Sequence, residues 1–313
     1  MRSIARRKFI GGAAALAAAS LFPPKGFAQG GGSTRLVLLG TGGGPRVTAK
    51  GRAKPANLIV VKGVPYVIDC GDGVALQLVR AGVALAALRH IFITHHHSDH
   101  NLDYGNLVYD GWVAGLRTPV DAYGPPPLRA ITDAYWELNR FDIETRIADE
   151  GRIDLRKLVT AHEFSQDGVV MQNADVKVTA ARVRHPPIKE AYAYRFDCAD
   201  RSIVISGDTT WSPELISLAK GADVLVSEAM HLGGLERLLA KVPNAARLRE
   251  HLLASHIVTE DLGKLAAEAE VKTLVMSHLV PGDDPSITDA KWEEGVRRHY
   301  RGRIVVGRDL MEV

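Results

Sequence analysis

Cysteine is scarce: Cys70 and Cys198 are the only two in 313 residues, which excludes a disulfide-stapled scaffold. Long apolar runs are missing as well. Ile10–Phe22 spans 13 residues, short of the roughly 20 that cross a bilayer as a helix, and no other run comes nearer. Internal repeats and sustained heptads are absent, so a coiled coil is excluded. A surplus of either charge is lacking too. The formal net charge is +3, but residues 1–28 hold Arg2, Arg6, Arg7, Lys8 and Lys25 and no acid, and removing those five charges leaves −2. A slightly acidic body has no electrostatic footprint for gripping a nucleic-acid backbone in bulk. What is present is ordinary for a globular chain. Apolar residues make up 46% and charged residues 24%, enough for one large domain with a buried core.

The first 28 residues read as an export leader. Arg6-Arg7-Lys8 precede the apolar run, and Pro23-Pro24 and the small-residue exit Gly26-Phe27-Ala28 follow it. A charged start, a short apolar middle and a small-x-Ala end form the secretory pattern, and the paired arginines resemble a twin-arginine signal. The expected division is a twin-arginine-type signal peptide over 1–28, a Gly-rich linker over 29–33 and one domain over 34–313. A periplasmic or secreted protein follows, with no membrane attachment after the leader is removed.

From Thr34 short apolar runs alternate with segments of helical spacing. Strands are expected over Arg35–Leu39, Asn57–Val61, Pro65–Asp69 and His90–Thr94, the second and third joined as a hairpin across Gly63. More follow at Val169–Gln172, Val176–Val183, Ala191–Phe196, Ser202–Ile205, Asp223–Val226, Thr273–Met276 and Arg303–Val306. Helices are expected over Val74–Ala81, Asp103–Leu116, Leu128–Phe141, Pro213–Ala219, Leu235–Glu268 with a break near Ser255, and Ile287–Tyr300. This mixture predicts an α/β domain of two sheets with helices packed outside.

The segment Thr94-His95-His96-His97-Ser98-Asp99-His100 places four potential metal ligands within six residues, directly after an apolar strand. Imidazole nitrogens and carboxylates suit Zn²⁺. A regular strand would aim His95 and His97 one way and a helix would part them from His100, so a loop is expected. It can split the ligands into two sets, His95 with His97 and Asp99 with His100.

This motif is similar to the signature of the metallo-β-lactamase superfamily, and the rest of the chain supplies the superfamily's other motifs in order. Asp69 in Val67-Ile68-Asp69-Cys70-Gly71-Asp72-Gly73 looks like its early structural aspartate. His185, Asp208 in Ser206-Gly207-Asp208-Thr209 and His278 in Ser277-His278-Leu279 match its later ligands. The resemblance runs from about Thr34 to the C-terminus and implies an αββα sandwich of two mixed sheets. It implies two Zn²⁺ ions, with Mn²⁺ or Fe²⁺ as substitutes: one held by His95, His97 and His185, the other by Asp99, His100 and His278, and Asp208 bridging. The implied nucleophile is a metal-bridging hydroxide, which Asp99 orients and whose proton it accepts.

Two further features resemble the ribonuclease Z-like branch. Glu228 in Ser227-Glu228-Ala229 and His256 in Ser255-His256-Ile257 match a glutamate that orients a proton-donating histidine. A carboxylate on one ring nitrogen fixes the tautomer and raises basicity at the other. The chain departs from true ribonuclease Z in carrying no long Gly/Pro-rich arm between His185 and Asp208, in Ser98 where glycine is usual, and in Met230-His231 after Glu228-Ala229. With the leader, this resembles exported arylsulfatase-like members of the branch. The implied activity is hydrolysis of a small-molecule ester, an aryl sulfate or phosphodiester, with no nucleic acid bound, and the resemblance also implies a homodimer. A lactone or β-lactam hydrolase on the same site is the alternative, and a tRNA 3′-processing endonuclease is disfavoured. Tyr104, Trp112 and Trp211 are candidate walls for an aryl group. His90, His96, His162, His231, His251 and His299 lack a partner pattern and read as structural or surface residues. Gly42-Gly43-Gly44 is followed by no Gly-Lys-Ser/Thr and reads as a point of close chain approach near the metals.

Overall fold

The computed structural model describes residues 33–49, 51–243 and 245–313; the expected leader and most of the linker lie outside them. Among the described residues, fourteen strands form two seven-stranded sheets. The first sheet contains β1 (Arg35–Gly40), β2 (Ala56–Val61), β3 (Val64–Ile68), β4 (His90–Phe92), β5 (Val120–Gly124) and β6 (Val159–Glu163). The second contains β7 (Gly168–Gln172), β8 (Val176–Arg182), β9 (Tyr192–Cys198), β10 (Ser202–Ile205), β11 (Val224–Met230), β12 (Thr273–Val280) and β13 (Arg303–Val306). The short β14 (Met311–Glu312) returns to the edge of the first sheet beside β1.

The two sheets are built alike. Each begins antiparallel and turns parallel: β3, β4, β5 and β6 in one, β10, β11, β12 and β13 in the other. The local sequence explains both modes. Lys62 and Gly63 take positive φ, 48° and 82°, the geometry of a tight hairpin between β2 and β3. The parallel strand β12, Thr-Leu-Val-Met-Ser-His-Leu-Val, is buried along nearly its whole length, as a strand covered on both faces must be.

Three apolar layers result. Leu36, Ile59, Phe92, Tyr194, Phe196 and Val226 pack between the sheets. Leu107, Trp112, Leu128 and Ile143 fill the space between the first sheet and its helices, and Leu215, Leu262, Leu265 and Val296 do the same for the second. Helix, sheet, sheet and helix make the αββα sandwich that the motifs implied.

Several boundaries differ from the sequence reading. The expected helix Leu128–Phe141 is two helices, Leu128–Leu138 and Arg140–Glu150, parted at Asn139, whose backbone leaves the helical region. The long C-terminal helical stretch is three helices, Leu232–Leu239, Ala245–Ser255 and Thr259–Glu268. β11 runs on to Met230 because polar Ser227 and Glu228 are paired with β12 and buried. Cys70 is buried, and both cysteines are free thiols.

Phe92 sits fully buried in the inter-sheet layer, stacked on Tyr123 at 4.9 Å and edge-on to Tyr194 and Phe196 at 5.4 and 5.2 Å between ring centroids. Phe92→Ala is expected to cost about 3–5 kcal/mol, read as a lower urea midpoint with an unchanged slope. A loss under about 1 kcal/mol would mean that this layer does not join the sheets.

Candidate metal centre

Apart from His256, which follows the helix Ala245–Ser255, the chemically marked residues lie at or near the carboxyl ends of strands, on one edge of the sandwich. Asp69 follows β3, His95 and His97 follow β4, His185 follows β8, Asp208 follows β10, and Glu228 and His278 lie in the last turns of β11 and β12. His95 to His97 form a loop, while Asp99 and His100 stand in a single helical turn, Ser98–Asn101. That turn swings the second pair away from the first.

The expected residues converge. His97 Nδ1 lies 3.1 Å from His95 Nε2 and 3.0 Å from His185 Nε2. Both Nε2 atoms are 3.9 Å from Asp208 Oδ2. On the other side of Asp208, His100 Nε2 is 3.2 Å from Oδ1 and His278 Nε2 is 3.2 Å from Oδ2. Asp99 Oδ2 is 3.3 Å from His278 Nε2 and 3.7 Å from His100 Nε2. Two groups that could each hold a metal ion, with Asp208 in common, are therefore formed: His95, His97, His185 and Asp208, and Asp99, His100, His278 and Asp208.

The donor set fits cations. Three ring nitrogens converge at His97 within 3.0–3.1 Å, an arrangement that suits lone pairs gathered around a cation. Burial holds His95, His97 and His185 below their ordinary pKa, His185 down to about 4, so these rings are neutral and offer lone pairs. Burial also works against charge on His278 and His100, but Asp208 and neighbouring carboxylates outweigh it, raising His278 to about 10 and His100 well above its usual value. The positive charge those carboxylates demand would be supplied equally by a divalent ion. His100 Nε2 and Asp208 Oδ1 are buried without a hydrogen-bond partner. Burial opposes charge on Asp99 and Asp208, yet the histidines keep both below the usual carboxylate range.

Surrounding groups fix the candidate ligands. Asp69, at φ 64°, receives the Thr94 backbone N–H at 2.8 Å and the Thr94 hydroxyl at 2.9 Å, and pairs with His100 Nδ1 at 2.8 Å. His185 Nδ1 donates to the Ser255 carbonyl at 2.9 Å. The Gly44 N–H donates to Asp99 Oδ2 at 2.9 Å. Gly43 is required by proximity, because a Cβ there would meet the His278 ring at 2.8 Å.

Glu228 and His256 complete the centre. Glu228 Oε2 is 2.8 Å from His256 Nδ1, and Oε1 accepts the Thr209 backbone N–H at 2.5 Å. Burial opposes a charge on His256, but the Glu228 carboxylate prevails and raises its pKa. His256 Nδ1 is 4.0 Å from Asp208 Oδ2, so this pair abuts the ligand groups.

The centre opens into a cavity of about 460 Å³ bordered by His97, Asp99, Asp208, His256 and His278, a size that suits a small molecule. Tyr104, Trp112 and Trp211 do not line it. The first two are buried against the first sheet, and Trp211 packs on the outer layer of the second. Aliphatic residues line it instead, Leu238, Val242, Leu248 and Leu252 among them. His251 also lines it, 6.3 Å from the His256 ring; its place on the last turns of the helix leading into His256 was the available signal.

Comparison with known proteins agrees with this geometry. Residues 34–231 match the family model described as Anti-Pycsar protein Apyc1. The chain is 32% identical over 280 residues to ribonuclease Z from Mycobacterium sp. strain KMS, covering 89% of this chain and 95% of that one. Human tRNase Z, short form, superposes with a TM-score of 0.66 at 19% identity, over 89% of this chain and 98% of that one. A diphosphatase of the PhnP family does so with a TM-score of 0.58 at 18% identity, over 90% and 97%.

Asp69 touches His100 on the nitrogen facing away from Asp208, so Asp69→Asn is expected to weaken zinc binding by about 10–100-fold. Titration against a competing chelator measures this, and unchanged affinity would show that His100 is no ligand.

Proposed function

The chain belongs to the ribonuclease Z-like metal-dependent hydrolases of the metallo-β-lactamase fold, and from that membership we propose that it is an exported binuclear zinc phosphodiesterase acting on small molecules. The Glu228–His256 pair set against a two-part ligand cluster carries the reading. His95, His97 and His185 would hold one ion and Asp99, His100 and His278 the other, with Asp208 between them. When bound, two zinc ions make water acidic enough to attack at neutral pH and offset charge growing on the attacked group.

The protein's own groups do the rest. Glu228 holds His256 through Nδ1, which leaves Nε2 free to pass a proton to the departing oxygen. A proton on that oxygen matters most where the leaving group is a poor one. Asp99, anchored by the Gly44 N–H, orients the attacking water and receives its proton. The aliphatic cavity wall excludes bulk water from the bond being broken, which strengthens these interactions.

Cleavage at phosphorus is favoured by the relatives, whose names are those of a ribonuclease and a diphosphatase. A large RNA suits the chain poorly. Residues between His185 and Asp208 are taken up by β9, β10 and their short connections, leaving no length for a gripping arm, and the body is slightly acidic. An aryl sulfate is the second reading, since it too is a singly charged tetrahedral ester and the cavity wall is apolar. Export rests on the Arg6-Arg7 leader pattern.

The zinc-loaded protein is expected to turn over bis(p-nitrophenyl) phosphate faster than p-nitrophenyl sulfate, nitrocefin or a precursor tRNA. Sulfate turnover in excess of phosphate would select the second reading, and turnover of nitrocefin alone would overturn both. His256→Ala is expected to lower kcat about 10²–10⁴-fold on diesters with phenol as leaving group. The loss should be far smaller with p-nitrophenol, which departs without a proton. Equal losses on both would contradict the proton-donor role.

A further inference from the structure

The cavity has two chemically unlike walls, and we propose that they fix the direction in which an ester sits, with Lys54 holding an anionic retained group and the helices Leu232–Leu239 and Ala245–Ser255 receiving an apolar leaving group. This deepens the phosphodiesterase reading and rests on it, by naming which half of the substrate carries which chemistry.

Lys54 is only 7% exposed and borders the cavity together with Asp99 and His278. Its ammonium donates to the Arg46 carbonyl at 2.7 Å, which uses one of three hydrogens. Among the described residues no carboxylate lies within 4 Å of it, although buried lysines are almost always paired. Burial lowers its pKa, with Asp99 the foremost group acting against that. The backbone carrying it is held rigidly. Asp309 accepts the N–H of neighbouring Ala53 at 2.6 Å and that of Thr41 at 3.0 Å, and Pro55 leads directly into β2. Arg52 is committed elsewhere, to the carbonyls of Gly282 and Gly307, and Arg46 is paired with Asp283. Lys54 is thus a preplaced cation beside the centre with donor capacity to spare, and a ligand anion is the partner it lacks.

The other wall lies on the proton donor's side. His256 follows the helix Ala245–Ser255 without a break, and Leu238, Val242, Leu248 and Leu252 border the same cavity. Val242, Leu248 and Leu252 belong to an apolar cluster with Met230, Leu235 and Val280. A group leaving beside His256 therefore departs along aliphatic surface, while the part that stays on phosphorus faces Lys54 on the Asp99 side.

Two substrates that differ only in the retained group test this: ethyl p-nitrophenyl phosphate and 2-carboxyethyl p-nitrophenyl phosphate. The wild type is expected to prefer the carboxylated ester about tenfold in kcat/KM, mainly through KM. Lys54→Gln should abolish that preference and Lys54→Arg should retain most of it. A parallel fall on both esters in Lys54→Gln would mark a structural role and overturn the assignment, as would a wild type without preference. Uncleavable phosphonate counterparts, titrated by calorimetry into the zinc-loaded protein, give the same comparison without turnover. A binding preference that depends on Lys54 but without hydrolysis would overturn the phosphodiesterase reading and leave this one standing; hydrolysis without such a preference would do the reverse.

Discussion

A single carboxylate, Asp208, is buried in the protein with five histidine rings within 4.0 Å of its oxygens. Taking a charge that far from water is costly unless opposite charge and hydrogen bonds surround it. Here the surroundings come from both sheets: His95 and His100 from the first, His185, His256 and His278 from the second. The sandwich must close with both edges in register for this cluster to form. Tyr194 helps, because its hydroxyl crosses from the second sheet to the Ile93 carbonyl at 2.7 Å, one residue before the histidine motif begins.

Two residues of the cluster hold their backbone in a costly region. Asp69 and His278 adopt positive φ, 64° and 40°, a region that residues with a Cβ enter at some cost. Each is held there by a partner element. Asp69 is tied to Thr94 and His100, and the loop carrying Gly43 passes so close to His278 that no side chain would fit. Positions that a regular strand end would not reach are thereby made available to ligand atoms.

The candidate site was legible because its chemistry is concentrated: four potential ligands in six residues have few other uses, and Asp69 before them and His185, Asp208, Glu228, His256 and His278 after them stand in a recognisable order. The strands with continuous apolar sequence were legible for a similar reason. β5 and β6 were not, since Val-Asp-Ala-Tyr-Gly and Val-Thr-Ala-His-Glu show neither a clear apolar run nor a clean alternation. β14 has only two residues and exists through its pairing with β1. The break at Asn139 depends on how two helices pack, which periodicity does not record. The cavity walls were the least legible part. Tyr104, Trp112 and Trp211 lie near the motifs in sequence yet serve the core, while Leu248, Leu252 and Lys54 gain their place only when distant segments are brought together.

The proposed chemistry requires two cations sharing Asp208, and anomalous X-ray diffraction at the zinc edge from zinc-loaded crystals tests that most directly. Two peaks are predicted, one bounded by His95, His97 and His185 and the other by Asp99, His100 and His278, with Asp208 touching both. A single peak, or peaks away from these residues, would contradict the binuclear centre and the chemistry built on it.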